Sequence, residues 1–168
     1  SRARDALVLP SASPEEVIRE LAGLFEISYQ DKVQIAFPYA GFEVKTRANM
    51  MVAHDGRKVL VDFGDLRGEA IRSLEKEGFA LIQIDRRNTN RDIVQTFLTH
   101  LSISYEKDPT FWVADRPRIH NPSIRVPGMM VAWNNPDYQR ILFSEAPVPS
   151  RLAAFFADAG IHVIAMAP

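Results

Sequence analysis

A short sequence that occurs twice constrains the fold of this 168-residue chain more than any other feature. Asn49-Met50-Met51-Val52-Ala53 returns as Gly128-Met129-Met130-Val131-Ala132, with Met129 lying 79 positions after Met50. Further matches follow in the same order: Ile27-Ser28-Tyr29 with Ile103-Ser104-Tyr105, and Gly78 with Gly160. Self-similarity at one long period is typical of proteins built from repeated structural units. We therefore predict that the chain is a tandem duplication.

The spacing between matching positions grows along the chain from 76 to 79 to 82 residues, and loops tolerate such insertions better than helices or strands. The second increase lies where His54–Arg57 becomes the longer Trp133–Gln139. We predict a linker or tail over 1–12, a first repeat over 13–85 and a second over 86–168. A unit of about 80 residues buries only a modest core, so we expect the repeats to pack as an intramolecular pseudo-dimer.

Each half carries the signals of one helix, three strands, a second helix and a last strand. A capping box at Ser13-Pro14-Glu15-Glu16 begins the first helix, and Asp55-Gly56 predicts a hairpin turn. The other predicted elements of the first half are strands over 32–37, 42–53, 59–62 and 79–84 and a helix over 66–77. The second half gives helices over 92–101 and 150–159 and strands near 110–114, 128–133, 140–143 and 161–166. The predicted fold class is mixed α+β, with two tandem α-β-β-β-α-β units.

Composition excludes several classes of protein. Cysteine is absent, which rules out disulfides, thiol catalysis and cysteine-ligated metals. The net charge of −1 gives no general attraction to nucleic acid or to an anionic membrane, and no apolar run is long enough to cross a bilayer. Because the chain opens Ser1-Arg2-Ala3 without methionine, we expect a fragment of a larger protein. The compartment stays open.

The order α-β-β-β-α-β resembles the core of the restriction-endonuclease-like fold, the PD-(D/E)xK nucleases. The family pattern implies an acid at the start of the second strand and an acid-x-Lys sequence in the third. Here the first position is Asn49, and the second reads Asp62-Phe63-Gly64. The second half has Gly128 and then Ser144-Glu145-Ala146, and the literal Glu43-Val44-Lys45 lies one strand too early. The resemblance therefore implies a degenerate, inactive relative.

Asp62, Asp65 and Glu69 form the best acidic cluster in the sequence. Asp62 ends a predicted parallel strand and the other two begin the next helix, at the sheet edge where open α/β sheets bind ligands. Three carboxylates there would suit Mg²⁺, which would activate a water for hydrolysis. The alternative is structural, with Asp65 as the helix N-cap and Glu69 in the first turn. The second half has Ser144, Pro147 and Arg151 at these positions, so a site of this kind would be present once.

Basic residues fall in two predicted loops, where they suit binding of phosphate or of a carboxylate-bearing polymer. The candidates are Arg86 and Arg87 in the link between halves, and Arg116, Arg118, His120 and Arg125 in the loop Asp115–Pro127. The alternative is a solvated surface. These residues are also what supports nucleic acid as a possible partner. No paired histidine spacing, phosphate-binding loop or nucleophile motif is present.

We predict a non-catalytic binding or assembly module without a cofactor, whose partners are other domains of the parent chain or a separate protein. One alternative is a Mg²⁺-dependent, nuclease-like phosphodiesterase that uses Asp62 with Asp65 or Glu69. Another is a small-molecule or glycan site in a cleft between the repeats, lined by Asp115–Pro127.

Overall fold

A computed structural model describes residues 7–9, 13–112, 123–125, 128–133 and 140–166. The fold is mixed α+β, as predicted, and the chain divides into two compact units. The central unit comprises Pro10–Leu101, and the terminal unit comprises Ser1–Leu9 together with Ser102–Pro168. Each unit is described by itself below.

The first strand of the chain, β1 (Leu7–Val8), belongs to the terminal unit, and the elements up to α3 form the central unit. These are α1 (Pro14–Leu24), β2 (Ser28–Tyr39), β3 (Phe42–His54), β4 (Arg57–Asp62), α2 (Gly68–Lys76), β5 (Ala80–Gln83) and α3 (Asn90–His100). The terminal unit continues with β6 (Ser104–Lys107), β7 (Thr110–Trp112), β8 (Ser123–Arg125), β9 (Met129–Trp133), β10 (Arg140–Ser144), α4 (Ser150–Asp158) and β11 (Ile161–Ala165).

The central unit is built on a sheet of order β2-β3-β4-β5. Its first three strands are antiparallel, and β5 lies parallel to β4 because α2 connects them as a crossover. Both hairpin turns place their two central residues at positive φ, as type I′ turns require. The φ angles are 52° at Ala40, 81° at Gly41, 50° at Asp55 and 73° at Gly56. Asp55-Gly56 thus forms the turn that the sequence predicted.

Helices complete the core of the central unit. The Ser13 hydroxyl accepts a hydrogen bond from the Glu16 N–H at 3.3 Å and so caps α1, as the capping box predicted. The helix α2 packs on the sheet through a cluster of buried residues that includes Ile35 and Leu60. The other buried members of this cluster are Phe37, Ala48, Leu66, Ala70 and Leu74.

The terminal unit has a five-stranded sheet of order β1-β11-β10-β9-β6 and a separate antiparallel pair, β7 with β8. As in the central unit, two parallel strands are connected by a helix: α4 lies between β10 and β11 in the chain. The core beside α4 contains Leu142, Phe156 and Val163. The prediction of a linker over 1–12 is corrected at Leu7–Leu9, because β1 pairs in parallel with β11 and Leu9 is buried.

The same backbone features recur at fixed spacing. Glu26 and Ser102, 76 residues apart, follow α1 and α3 with φ angles of 55° and 56°. Lys32 and Asp108, also 76 apart, have φ angles of 51° and 48°. Such angles are uncommon outside glycine, so their recurrence indicates a shared local structure.

The two Met-Met sequences are not in structural register. Met50 pairs with Val61 in the ladder between β3 and β4, whereas Met130 pairs with Phe143, the position 82 residues after Val61. Met50 and Met130 are the buried members of their pairs. The matching of Met50 with Met129 is therefore wrong by one residue, and the strand offset is 80. A one-residue shift moves a side chain to the other face of a sheet, which burial reveals and sequence matching does not.

The boundary between the compact units follows Leu101, whereas the sequence placed the end of the first repeat at residue 85. The helix α3, predicted as the start of the second repeat, packs in the central unit against α1. The ring centroids of Phe25 and Phe97 lie 6.2 Å apart. The two helices pack through their apolar faces. A sequence pattern shows that a helix has an apolar face but does not specify which element packs against it.

Candidate functional site

Asp62, the best acidic candidate, holds the loop that follows β4. Its side chain is 1% exposed, and one carboxylate oxygen accepts hydrogen bonds from the N–H groups of Asp65 at 2.9 Å and Leu66 at 3.1 Å. A buried carboxylate needs such donors, since burial without them is costly. The loop postpones the start of α2 to Gly68, so Arg67, and not Asp65, occupies the N-cap position and provides no side-chain cap.

Asp65 is held by two neighbours. Its Oδ2 accepts a hydrogen bond from Asn49 Nδ2 at 2.7 Å and lies 3.4 Å from Arg86 Nη2. The other end of the Asn49 amide accepts the Phe63 N–H at 3.0 Å, which ties β3 to the loop after β4. Asn49 stands where the nuclease pattern has an acid, and its amide here makes bonds that a carboxylate would not make to Asp65.

These contacts leave no three-carboxylate site at this position. Within the described ranges, no group of three or more His, Cys, Asp or Glu side chains is arranged to hold a metal ion. Asp62 is directed at backbone donors and Asp65 at Asn49 and Arg86, while Glu69 lines a cleft beside α2. Glu69 does lie in the first turn of α2, as the structural alternative predicted. In the terminal unit the position of Asp62 is taken by the buried Ser144, whose hydroxyl donates to the Ala146 carbonyl at 2.7 Å.

The arginines of the link between halves are engaged in separate ion pairs. Arg86 Nη1 lies 2.7 Å from Glu15 Oε1. The hydrogen bond to Glu15, together with the charge of Asp65, raises the pKa of the Arg86 guanidinium. Arg87 Nη2 lies 2.9 Å from Asp85 Oδ2. Arg86 is also stacked over Phe63, with 5.7 Å from its Cζ to the ring centroid. Arg116, Arg118 and His120 lie outside the described residues, as does the side chain of Arg125.

Arg87 holds the pKa of Asp85 at about 2, compared with an ordinary value of 3.8, chiefly through their side-chain hydrogen bond. The pair therefore stabilises the folded chain above pH 3.8, and this contribution disappears as the pH falls through 2. We expect Arg87→Ala to return the Asp85 pKa toward 3.8, as measured by a carboxyl-carbon NMR titration. Arg86→Ala is the control, and an Asp85 pKa that stays near 2 in R87A would show that another group lowers it.

A cleft of about 360 Å³ lies in the central unit between the β2–β3 hairpin and the start of α2. Its size is within the range of small-ligand sites. The residues lining it are Phe37, Tyr39, Val44, Lys45, Thr46, Asp65, Arg67, Glu69 and Ala70. Its apolar members Phe37, Val44 and Ala70 also belong to the core cluster under α2 or pack against it. We call this feature the hairpin cleft.

The tip of the hairpin places two exposed aromatic side chains beside the cleft. Tyr39 is 48% exposed and Phe42 is 75% exposed, and the two are directly paired across the turn. Side chains alternate along a strand, so Tyr39 lies on the face of Phe37, and Phe42 lies on the face of Val44. The sequence held a signal for this feature, because the type I′ turn Ala40-Gly41 is flanked on both sides by an aromatic residue.

Of the charged residues lining the hairpin cleft, Asp65 alone forms an ion pair within the described part of the chain. The side chains of Lys45, Arg67 and Glu69 form no hydrogen bond or ion pair with any described residue. The open charges of the cleft therefore consist of two cations and one anion. An occupant with an apolar body and an acidic group would complement both the aromatic rim and the charge.

No protein-family model, no curated protein and no solved structure matches this chain. Among the described residues, none of the helices has the length and apolar character needed to span a bilayer.

Proposed function

We propose that the chain is a non-catalytic binding module and that its ligand site is the hairpin cleft. The observation that carries the proposal is the open cleft with its aromatic rim. The acidic cluster has a structural role beside it, because its buried member, Asp62, bonds to the backbone of the loop after β4. Catalytic carboxylates must reach a substrate or a metal, whereas Asp62 is 1% exposed and already bonded to two backbone N–H groups.

The ligand that this cleft favours is amphipathic. An apolar group would cover Phe37 and Val44, and rim contacts from Tyr39 and Phe42 would exclude water around it. An acidic group would meet Lys45 and Arg67, the two cations without a partner among the described residues. The corresponding positions in the second half are Pro147, Pro149 and Arg151 in place of Asp65, Arg67 and Glu69, which favours a single site in each chain.

We infer that the chain arose by tandem duplication. The recurrence of positive φ at Glu26 and Ser102, and at Lys32 and Asp108, supports this inference. So do the side-chain caps of α1 and α3, where Ser13 and Thr89 each accept from the N–H three residues later. A binding cleft in one copy alone is what divergence after such a duplication would produce.

The probe for the proposed site is 1-anilinonaphthalene-8-sulfonate, which joins an apolar aromatic body to an anion. We expect its fluorescence to rise on binding to the native protein, with Tyr39→Ser/Phe42→Ser weakening the affinity at least about tenfold. Tyr29→Ser is the matched control, since Tyr29 is an exposed tyrosine on the same strand but outside the cleft. Equal affinity of the double variant and the control would remove the cleft as the site.

A second measurement separates this proposal from hydrolysis. Bis-p-nitrophenyl phosphate is incubated with Mg²⁺ or Mn²⁺ and the wild type, Asp65→Asn or Glu69→Gln. We expect no turnover above that of the metal alone in any of the three. Metal-dependent turnover by the wild type that either substitution abolishes would contradict a non-catalytic role.

A further inference from the structure

The outer edge of β5 in the central unit has no paired strand in the described sheet, whereas the equivalent edge in the terminal unit is paired with β1. In the terminal unit, β11 lies between β10 and β1, with Val8 paired to Ala165 in parallel. The Leu9 N–H donates to the Ala165 carbonyl at 2.9 Å. The strand β5 has the position of β11, since β5 pairs with β4 as β11 pairs with β10, but β5 is the last strand of its described sheet.

The two edges correspond atom for atom in their inner bonds. The Ile84 N–H donates to the Asp62 carbonyl at 2.8 Å, and the Met166 N–H donates to the Ser144 carbonyl at 2.7 Å. The two donors lie 82 residues apart in the sequence, and so do the two acceptors. Backbone groups alternate in direction along a strand, so Ile82 and Ile84 face β4 and Gln83 faces outward. Gln83 is thus the equivalent of Ala165. No described residue forms a backbone bond to it outside the sheet ladder, and Gln83 is exposed.

The strand β5 is only four residues long, but its sequence carries none of the residue types that protect edge strands. At the opposite edge of the same sheet, β2 contains Pro38, which has no N–H, and Lys32 with φ of 51°. Proline, charged side chains and local distortions all discourage pairing at an edge. The strand β5 reads Ala80-Leu81-Ile82-Gln83, without proline, glycine or charge. Such an edge leaves its outward N–H and C=O groups available for pairing.

We propose that the outer edge of β5 binds a short, extended, apolar segment of a partner polypeptide, in parallel to β5. The occupant resembles Leu7-Val8-Leu9, because that segment fills the equivalent edge of the same protein and buries Leu9 to 3% exposure. Main-chain hydrogen bonds to Gln83 supply the recognition, as in other strand additions. This surface is separate from the hairpin cleft and does not depend on it.

The probe is an acetylated, amidated hexapeptide with the sequence of residues 6–11, Ala-Leu-Val-Leu-Pro-Ser, added to the ¹⁵N-labelled full chain. We expect the amide signals of Leu81 and Gln83 to shift and their hydrogen exchange to slow. Gln83→Pro removes the outward N–H and lowers the affinity about tenfold or more. Gln83→Ala keeps the backbone and changes the affinity by no more than about twofold. Tyr39→Ser/Phe42→Ser leaves peptide binding unchanged.

A second comparison does not depend on the folding of a variant. An ester in place of the peptide N–H at the position equivalent to Leu9 removes the donor to the Gln83 carbonyl, and we expect it to abolish the shift at Gln83. The proposal is overturned if the peptide perturbs Ala165 but not Gln83, if Q83A and Q83P weaken binding equally, or if the ester binds as well as the amide. Oligomers that Q83P dissociates would assign the edge to a second copy and overturn the partner proposed here.

Discussion

Replacing Phe97 with alanine is expected to lower the free energy of unfolding by about 3–5 kcal/mol. Phe97 on α3 is 0% exposed and packs against Phe25. Truncation removes a large buried ring and leaves a cavity that the surrounding helices fill incompletely. Chemical denaturation measures the loss, and hydrogen exchange read residue by residue shows where it is felt.

The matched control is Phe156→Ala on α4, which removes an equally buried ring from the core of the terminal unit. We expect F97A to reduce exchange protection in β3 and β4, and F156A to reduce it in β10 and β11. The comparison tests the assignment of α3 to the central unit directly. Protection lost from β10 and not from β4 in F97A would mean that α3 stabilises the other unit.

The second large effect is expected at Asp62. Substitution by alanine leaves the N–H groups of Asp65 and Leu66 without their acceptor, and a hydrogen bond to a charged group contributes about 1.5–3 kcal/mol. We therefore expect Asp62→Ala to destabilise the chain by about 2–3 kcal/mol. Urea denaturation followed by far-ultraviolet circular dichroism measures this loss.

Asp62→Asn separates the structural role from a chemical one. Its amide oxygen still accepts the two backbone bonds, so we expect a smaller loss than in D62A. Glu69→Gln, on the exposed first turn of α2, is the surface control and is expected to change stability by less than about 0.5 kcal/mol. Wild-type stability in D62A would contradict the role assigned to this carboxylate, and it would reopen the question of why an acid is buried there.

The sequence predicted those features that depend on neighbouring residues. The cap at Ser13 and the turn at Asp55-Gly56 each rest on a conformational preference that acts over a few positions. The mixed α+β class followed from the same local signals. These elements therefore lie within a few residues of where the patterns placed them.

Features that depend on distant partners could not be predicted in the same way. Asp62 and Asp65 were candidate metal ligands because they lie where a parallel strand ends and a helix begins, but their bonds go to backbone N–H groups and to Asn49 and Arg86. The one-residue error at Met50 arose because identical letters were aligned without knowledge of which side chain faces the core. The strand Leu7–Val8 is too short to show a periodicity, and its pairing partner lies at the far end of the chain.

The length of β3 has a consequence for the ligand site proposed in the hairpin cleft. Its 13 residues pair with β2 along almost the whole hairpin, yet β4 pairs only with Met50–His54. The distal part of β3 is thus hydrogen-bonded to β2 alone. Segments with fewer hydrogen bonds open locally at lower free energy than the centre of a sheet. The wall of the hairpin cleft formed by the hairpin therefore bends more easily than the opposite wall, which α2 holds in place. Occupants of different widths would be accommodated by bending, so discrimination among them would fall to charge rather than to shape.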